Sequence, residues 1–146
     1  MASTTIHPTS REGLALHKLF WVGPLTIVVA VLVNLVIRTI AVAFFGVPDG
    51  FMYLQAPFVI GSTFIFLMLA LVAFVLAGRF ARHSVRFYRV LALVALFVSF
   101  LDPIMALVGL LPAPGMNLHI FWTMIVMHIV TAVIAVSLLT ILAVES

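Results

Sequence analysis

The sequence predicts an all-α fold, a transmembrane four-helix bundle, from three observations. Hydrophobic residues make up 66% of the 146-residue chain and charged residues only 8%, with a mean hydropathy of +1.40. So few polar side chains cannot cover a water-facing surface. The apolar residues fall into four long runs, each of about the 20 residues that cross a ~30 Å hydrocarbon slab at about 1.5 Å per residue. Six of the seven Lys and Arg residues lie before the first run or between the second and third, and the other two connections contain none. By the positive-inside rule, that asymmetry places both termini in the cytoplasm and leaves short outer loops on the opposite side.

Residues 1–18 read as a cytoplasmic N-terminal tail, with Arg11, Glu12, His17 and Lys18 among Ser and Thr. Residues 19–144 then form one transmembrane domain. Its first span runs over about 19–45. Ala41-Val42-Ala43 has the small-residue spacing of a signal-peptidase site, but the apolar run before it is longer than the roughly 7–15 residues of a secretory segment, so the span is expected to be retained. Gly46-Val47-Pro48-Asp49-Gly50 stops it with turn formers, and Phe51-Met52-Tyr53 suit the headgroup level. The second span, about 57–77, opens on Pro57 in its first turn and closes at Gly78. Arg79, Arg82, Arg86 and Arg89, interleaved with Phe80, Phe87 and Tyr88, are expected to form a basic loop on the membrane surface. The third span, about 90–111, ends at Pro112-Ala113-Pro114-Gly115, and the fourth covers about 118–144.

The calculated pI of about 10.2 rests on a net charge of only +3. These few cations adjoin apolar spans, so their partners are anionic membrane lipids and no nucleic acid is implied. Without cysteine the chain forms no disulfide, no thiolate metal site and no thiol redox couple. No metalloprotease helix motif, nucleophile elbow or Gly-rich phosphate loop is present, and enzymatic activity is not expected. The scattered methionines read as gap-filling apolar residues. The natural setting for such a chain is the bacterial cytoplasmic membrane.

Polar residues inside the spans carry the functional information. Counting inward from the cytoplasmic ends puts Asn34, Asp102 and His128, from three different spans, within about 5 Å of the midplane. Asn34 and Arg38 are four apart and share a face, with Arg38 placed to reach back toward Asp102. Ser99 and Asp102 share a face of the third span, where Pro103 removes a backbone donor and predicts a kink. Met124, His128 and Thr131 share a face of the fourth. The second span offers Ser62 and Thr63, about two turns from its centre. Taken singly, Asn, Ser and Thr in membrane helices hydrogen-bond across interfaces at about 0.6 kcal/mol each, and an Arg38–Asp102 pair can serve merely to select a helix arrangement. Taken together at one depth, Asn34, Arg38, Ser99, Asp102, His128 and Thr131 form a candidate binding site, and the cation Arg38 turns its preference toward anionic or carbonyl-bearing ligands.

His128 also suits a proton carrier or an axial ligand to a tetrapyrrole, or a lipid contact. A bis-histidine haem is disfavoured, because His119 lies nine residues away on the opposite face of the same helix; His119 itself, beside Asn117 and Trp122, suits the outer surface. The segments Trp21-x-Gly23-Pro24-Leu25, Asn34-Leu35-Val36, Ser99-x-x-Asp102-Pro103 and Met127-His128-Ile129-Val130-Thr131-Ala132-Val133 together resemble a family of small bacterial four-helix membrane proteins known as a domain of unknown function. The resemblance implies four helices with Asn34 and His128 in matching positions, and no activity.

Two functions are compatible with these features. The first is a non-catalytic subunit or scaffold of a larger membrane assembly, with protein partners or further copies of the chain packed on small-residue faces such as Ala70, Ala73 and Ala77, or Ala132 and Ala135. The alternative is a small-molecule binding or transport protein whose polar intramembrane site takes an anionic, quinone-like or tetrapyrrole ligand.

Overall fold

The computed structural model describes residues 16–81 and 83–143. Helix α1 spans Leu16–Phe44, and a single 3-10 turn follows at Met52–Leu54. Helix α2 spans Ala56–Phe80, α3 Ser84–Ser99, α4 Leu101–Leu107 and α5 Leu118–Leu142. Helices α3 and α4 together make one span, so the described residues contain four helices long and apolar enough to cross a membrane. Their outward faces are apolar, with Phe64, Leu69, Val94, Phe97, Val133 and Ile141 all exposed.

Short connections and 3.6-residue periodicity make the bundle. Helix α1 packs on α2 and α5, and α3 closes the ring between α2 and α5. The inward stripe of α1 is Val22, Thr26, Ala30, Asn34 and Ala41, mostly one turn apart. Gly23 lets α1 approach α2 closely: a Cβ there would lie 3.3 Å from Leu71 Cδ1. The core forms three layers along the bundle. Val22, Phe74, Tyr88 and Leu139 fill the basic end; Ala30, Leu67 and Ala135 fill the middle; and Ala41, Phe51, Leu54, Val59, Ile120, Met124 and Met127 fill the opposite end.

The helix ends differ from the expected boundaries for local reasons. Helix α1 begins at Leu16, inside the segment expected to be a tail; residues 1–15 of that tail lie outside the described residues. At its other end Gly46, with φ 65°, turns the chain so that Val47 N–H reaches Ala41 O at 3.3 Å. Helix α2 does not stop at Gly78 but continues to Phe80, where Ala81 N–H still bonds Ala77 O at 2.9 Å. The expected basic loop is therefore mostly helix: Arg79 lies in the last turn of α2, and Arg86 and Arg89 lie in the first turns of α3, while Arg82 lies outside the described residues. Long cationic side chains reach water from helix ends without needing a loop. The third span ends at Leu107, short of Pro112. Gly109, with φ 79°, closes it in a Schellman arrangement: Leu110 N–H bonds Met105 O at 2.8 Å, and Gly109 N–H bonds Ala106 O at 3.3 Å. The expected break near Pro103 falls at Phe100, between α3 and α4. Having no N–H, Pro103 cannot bond the Ser99 carbonyl one turn earlier. Helix α5 begins at Leu118, with Asn117 Oδ1 accepting from Ile120 N–H at 3.0 Å.

Candidate functional site

Asn34, Thr63 and Thr131 interrupt three apolar stripes at one level. Asn34 follows Ala30 on α1, Thr63 lies between Val59 and Leu67 on α2, and Thr131 between Met127 and Ala135 on α5. The Asn34 amide nitrogen donates to Thr63 Oγ1 at 3.0 Å and to Thr131 Oγ1 at 2.8 Å, tying three helices together. Asn34 is only 3% exposed, and its Oδ1 is buried with no partner. Exchanging the amide's oxygen and nitrogen would keep both hydroxyl contacts, with the hydroxyls then donating. In either orientation one end of the amide lacks a protein partner, and a buried polar group left so costs about 1–3 kcal/mol.

That amide lines a cavity of about 90 Å³. Ser62 and Thr63 of α2 and Met124, Met127, His128 and Thr131 of α5 form its walls, and Tyr53 and Leu54 of the 3-10 turn cover its outer end. Phe58 and Phe66 of α2 and Asp102 of α4, all exposed, form a rim on the outside of the bundle. Beyond the interruption at Phe100, α4 packs chiefly on α5. His128 is half-buried, held edge-on between the rings of Phe66 and Phe100, with centroids 6.1 and 6.5 Å away.

Arg38 does not join this group. Its Nε donates to Leu54 O at 2.5 Å, and its guanidinium pairs with Asp49 in the connection after α1. The expected reach toward Asp102 is thus replaced by a contact that holds the 3-10 turn over the cavity. Tyr53 fastens the same turn from the other side, its hydroxyl donating to Pro112 O at 3.1 Å. Nor does Ser99 face the cavity: its hydroxyl bonds Leu96 O at 2.7 Å. It lines a second space of about 110 Å³ toward the basic end, together with Tyr88, Ala92 and Ala95. Phe66, His128 and Thr131 are common to both spaces. His119 is exposed and borders a shallow apolar groove with Trp122, away from His128.

Of the six residues singled out from sequence, the structure gathers Asn34, Asp102, His128 and Thr131 around one cavity. It adds Thr63, Ser62 and Tyr53. Thr63 is legible in the sequence as the polar member of the stripe Val59, Thr63, Leu67. Among the described residues no group of three or more His, Asp or Glu side chains comes together to hold a metal ion. In comparisons with known proteins, no family model, no curated protein and no solved structure matches the chain, so no activity, ligand or partner is transferred from a relative.

Proposed function

We propose that this chain is a multi-pass protein of the bacterial cytoplasmic membrane that binds a small ligand in the cavity between α1, α2, α4 and α5. The observation that carries the reading is the Asn34 amide: nine-tenths or more buried, bordering an open space, with one end unpartnered. Buried polar groups are ordinarily satisfied, and a partner from outside the chain completes this one. The enclosed volume of about 90 Å³ is far below the roughly 300–1,000 Å³ of sites that enclose drug-sized ligands, so it suits a headgroup or a molecule of a few heavy atoms. A tetrapyrrole at His128 would have to lie against the outside of the bundle.

The membrane setting is supported by the exposed apolar faces, and the orientation by Lys18, Arg79, Arg86 and Arg89 at one end of the bundle, with the Arg38–Asp49 pair near the other. Because the chain lacks cysteine, single cysteines at positions 83 and 117 test it cleanly: in intact cells a membrane-impermeant maleimide is expected to label 117 and not 83. Labelling at 83 alone reverses the orientation. For the ligand, the protein is extracted with its surrounding lipid and analysed by native mass spectrometry. A small molecule is expected to accompany the parent and to be absent from Ser62→Phe, whose ring fills the cavity wall. An unloaded parent under every extraction condition refutes binding.

A second reading, a non-catalytic subunit of a larger membrane assembly, is favoured by the third span. It buries less of its surface than any other, and it exposes or half-exposes Ala92, Ala95 and Leu96 beside Ala132 of α5. Co-purification of a fixed set of proteins with the parent, lost on Ala92→Phe, supports it. A chain that runs alone or as a homodimer counts against it.

A further inference from the structure

We propose that the cavity takes the ammonium head of a small amphiphilic amine, with the Asp102 carboxylate as its counter-ion; this rests on the cavity being a binding site, and it assigns that site the opposite charge preference from the one Arg38 suggested. Among the described residues, Asp102 is the one carboxylate on the cavity's boundary, and neither Lys nor Arg borders it. The cation nearest in sequence to Asn34, Arg38, is already occupied by Asp49 and the Leu54 carbonyl. Among the described residues, no cation pairs with Asp102. A carboxylate at this depth costs several kcal/mol of lost hydration unless a cation or a proton meets it.

The remaining walls suit an amine. Asn34 Oδ1, in the orientation the structure shows, is an acceptor with nothing donating to it, and an ammonium brings donors that an anion lacks. Tyr53, Phe58 and Phe66 contribute aromatic rings, whose faces attract cations by about 0.5–2 kcal/mol. About 90 Å³ holds the charged head and the first few carbons. The exposed rim between Phe58, Phe66 and Asp102 lets an alkyl tail leave sideways into lipid. Besides Asp102, the titratable groups among the described residues on the wall are Tyr53 and His128; only His128 can become a cation, and as an imidazolium it would compete for Asp102. The two sources of positive charge are separated by experiment.

The test uses the full chain in lipid nanodiscs at neutral to slightly basic pH, with dicyclohexylcarbodiimide, an apolar reagent for carboxyls in hydrocarbon, and peptide mass spectrometry to read modification of Asp102. Hexylammonium, hexanoate and hexanol are the competitors, sharing one tail and differing only in the head. Hexylammonium is expected to slow labelling of Asp102 roughly tenfold at about ten times its Kd, in proportion to the unoccupied fraction. Hexanol and hexanoate are expected to have no saturable effect. A matching thermal shift by hexylammonium is expected to persist in Asp102→Glu and to vanish in Asp102→Asn; should the latter not fold, the labelling arms stand on the parent alone. Equal protection by hexanol, or protection by hexanoate, overturns the amine while leaving a binding cavity. Protection by none of the three, with no thermal shift, overturns the amine, and an unloaded parent in native mass spectrometry then overturns the binding cavity as well. If Asp102 in the parent is unreactive until His128→Gln is introduced, its counter-ion is the imidazolium and the amine is refuted.

Discussion

The bridge made by Asn34 offers the most direct check on the bundle's interior. Its amide reaches Thr63 at 3.0 Å and Thr131 at 2.8 Å, so one side chain on α1 is bonded to both α2 and α5. Interhelical hydrogen bonds in membranes are worth about 0.6 kcal/mol on average and about 1.7 at most, because the separated helices also find partners. Each double-mutant cycle, Asn34→Ala with Thr63→Val and Asn34→Ala with Thr131→Val, is therefore expected to give a coupling of about 0.6 kcal/mol, about a threefold change in the unfolding constant. The single change Asn34→Ala is harder to read, because it also removes an unpartnered buried atom whose cost of about 1–3 kcal/mol opposes the lost bonds. Coupling isolates the bonds from that term. Reversible unfolding in mixed micelles, or steric trapping in bicelles, measures it. Couplings indistinguishable from zero for both pairs would refute the three-helix bridge and, with it, the placement of the cavity.

Other consequences follow from single contacts. An Arg38→Ala and Asp49→Ala cycle is expected to show a coupling of about 0.2–1 kcal/mol, typical of an exposed pair, since Asp49 is 74% exposed; the same cycle with Asp102 is expected to show none, and the reverse result would mean that Arg38 turns inward. Tyr88 has a buried hydroxyl with no partner, so Tyr88→Phe is expected to leave the protein as stable as the parent or more stable by up to about 1–3 kcal/mol in the same unfolding assay. A loss of more than about 1 kcal/mol would reveal an acceptor for that hydroxyl. Pro103→Ala restores a donor for the Ser99 carbonyl; hydrogen exchange at residue 103 is expected to become as slow as at its neighbours, and carbodiimide access to Asp102 to fall as the span straightens. Unchanged access would dissociate the break at Phe100 from the opening of the cavity.

The polar layer was partly legible in the sequence, and the reasons differ by residue. Asn34 lies on the buried stripe of α1 and Thr131 between the buried Met127 and Ala135 of α5, and a helix has one inward face, so periodicity brings them toward each other. Thr63 obeys the same rule: it lies 17 residues from Phe80 at the end of α2, as Asn34 lies 18 from Leu16 at the start of α1, so the two stand at one level. His128 and Asp102 border one cavity, and its rim depends on where α4 parts from α3, which Pro103 indicates only to within a turn. Arg38 was the residue whose direction could not be read. Its long flexible side chain reaches a turn either way, toward Asp49 just beyond the end of α1 or toward Asp102 on a distant span.

Composition, run length and cation placement by themselves determined four apolar helices, their order and the end that carries the basic residues, because hydrocarbon tolerates little backbone other than helix and each run must be long enough to cross. Which partner the charged side chains take, by contrast, was decided by the tertiary structure. Arg38 turned outward because the carbonyl of Leu54 and the carboxylate of Asp49 arrive beside it only once the 3-10 turn folds over the bundle's end. With that guanidinium taken up elsewhere, the boundary of the cavity carries, among the described residues, a carboxylate and no Lys or Arg, a balance that depends on three-dimensional neighbours and has no counterpart in the linear order of residues.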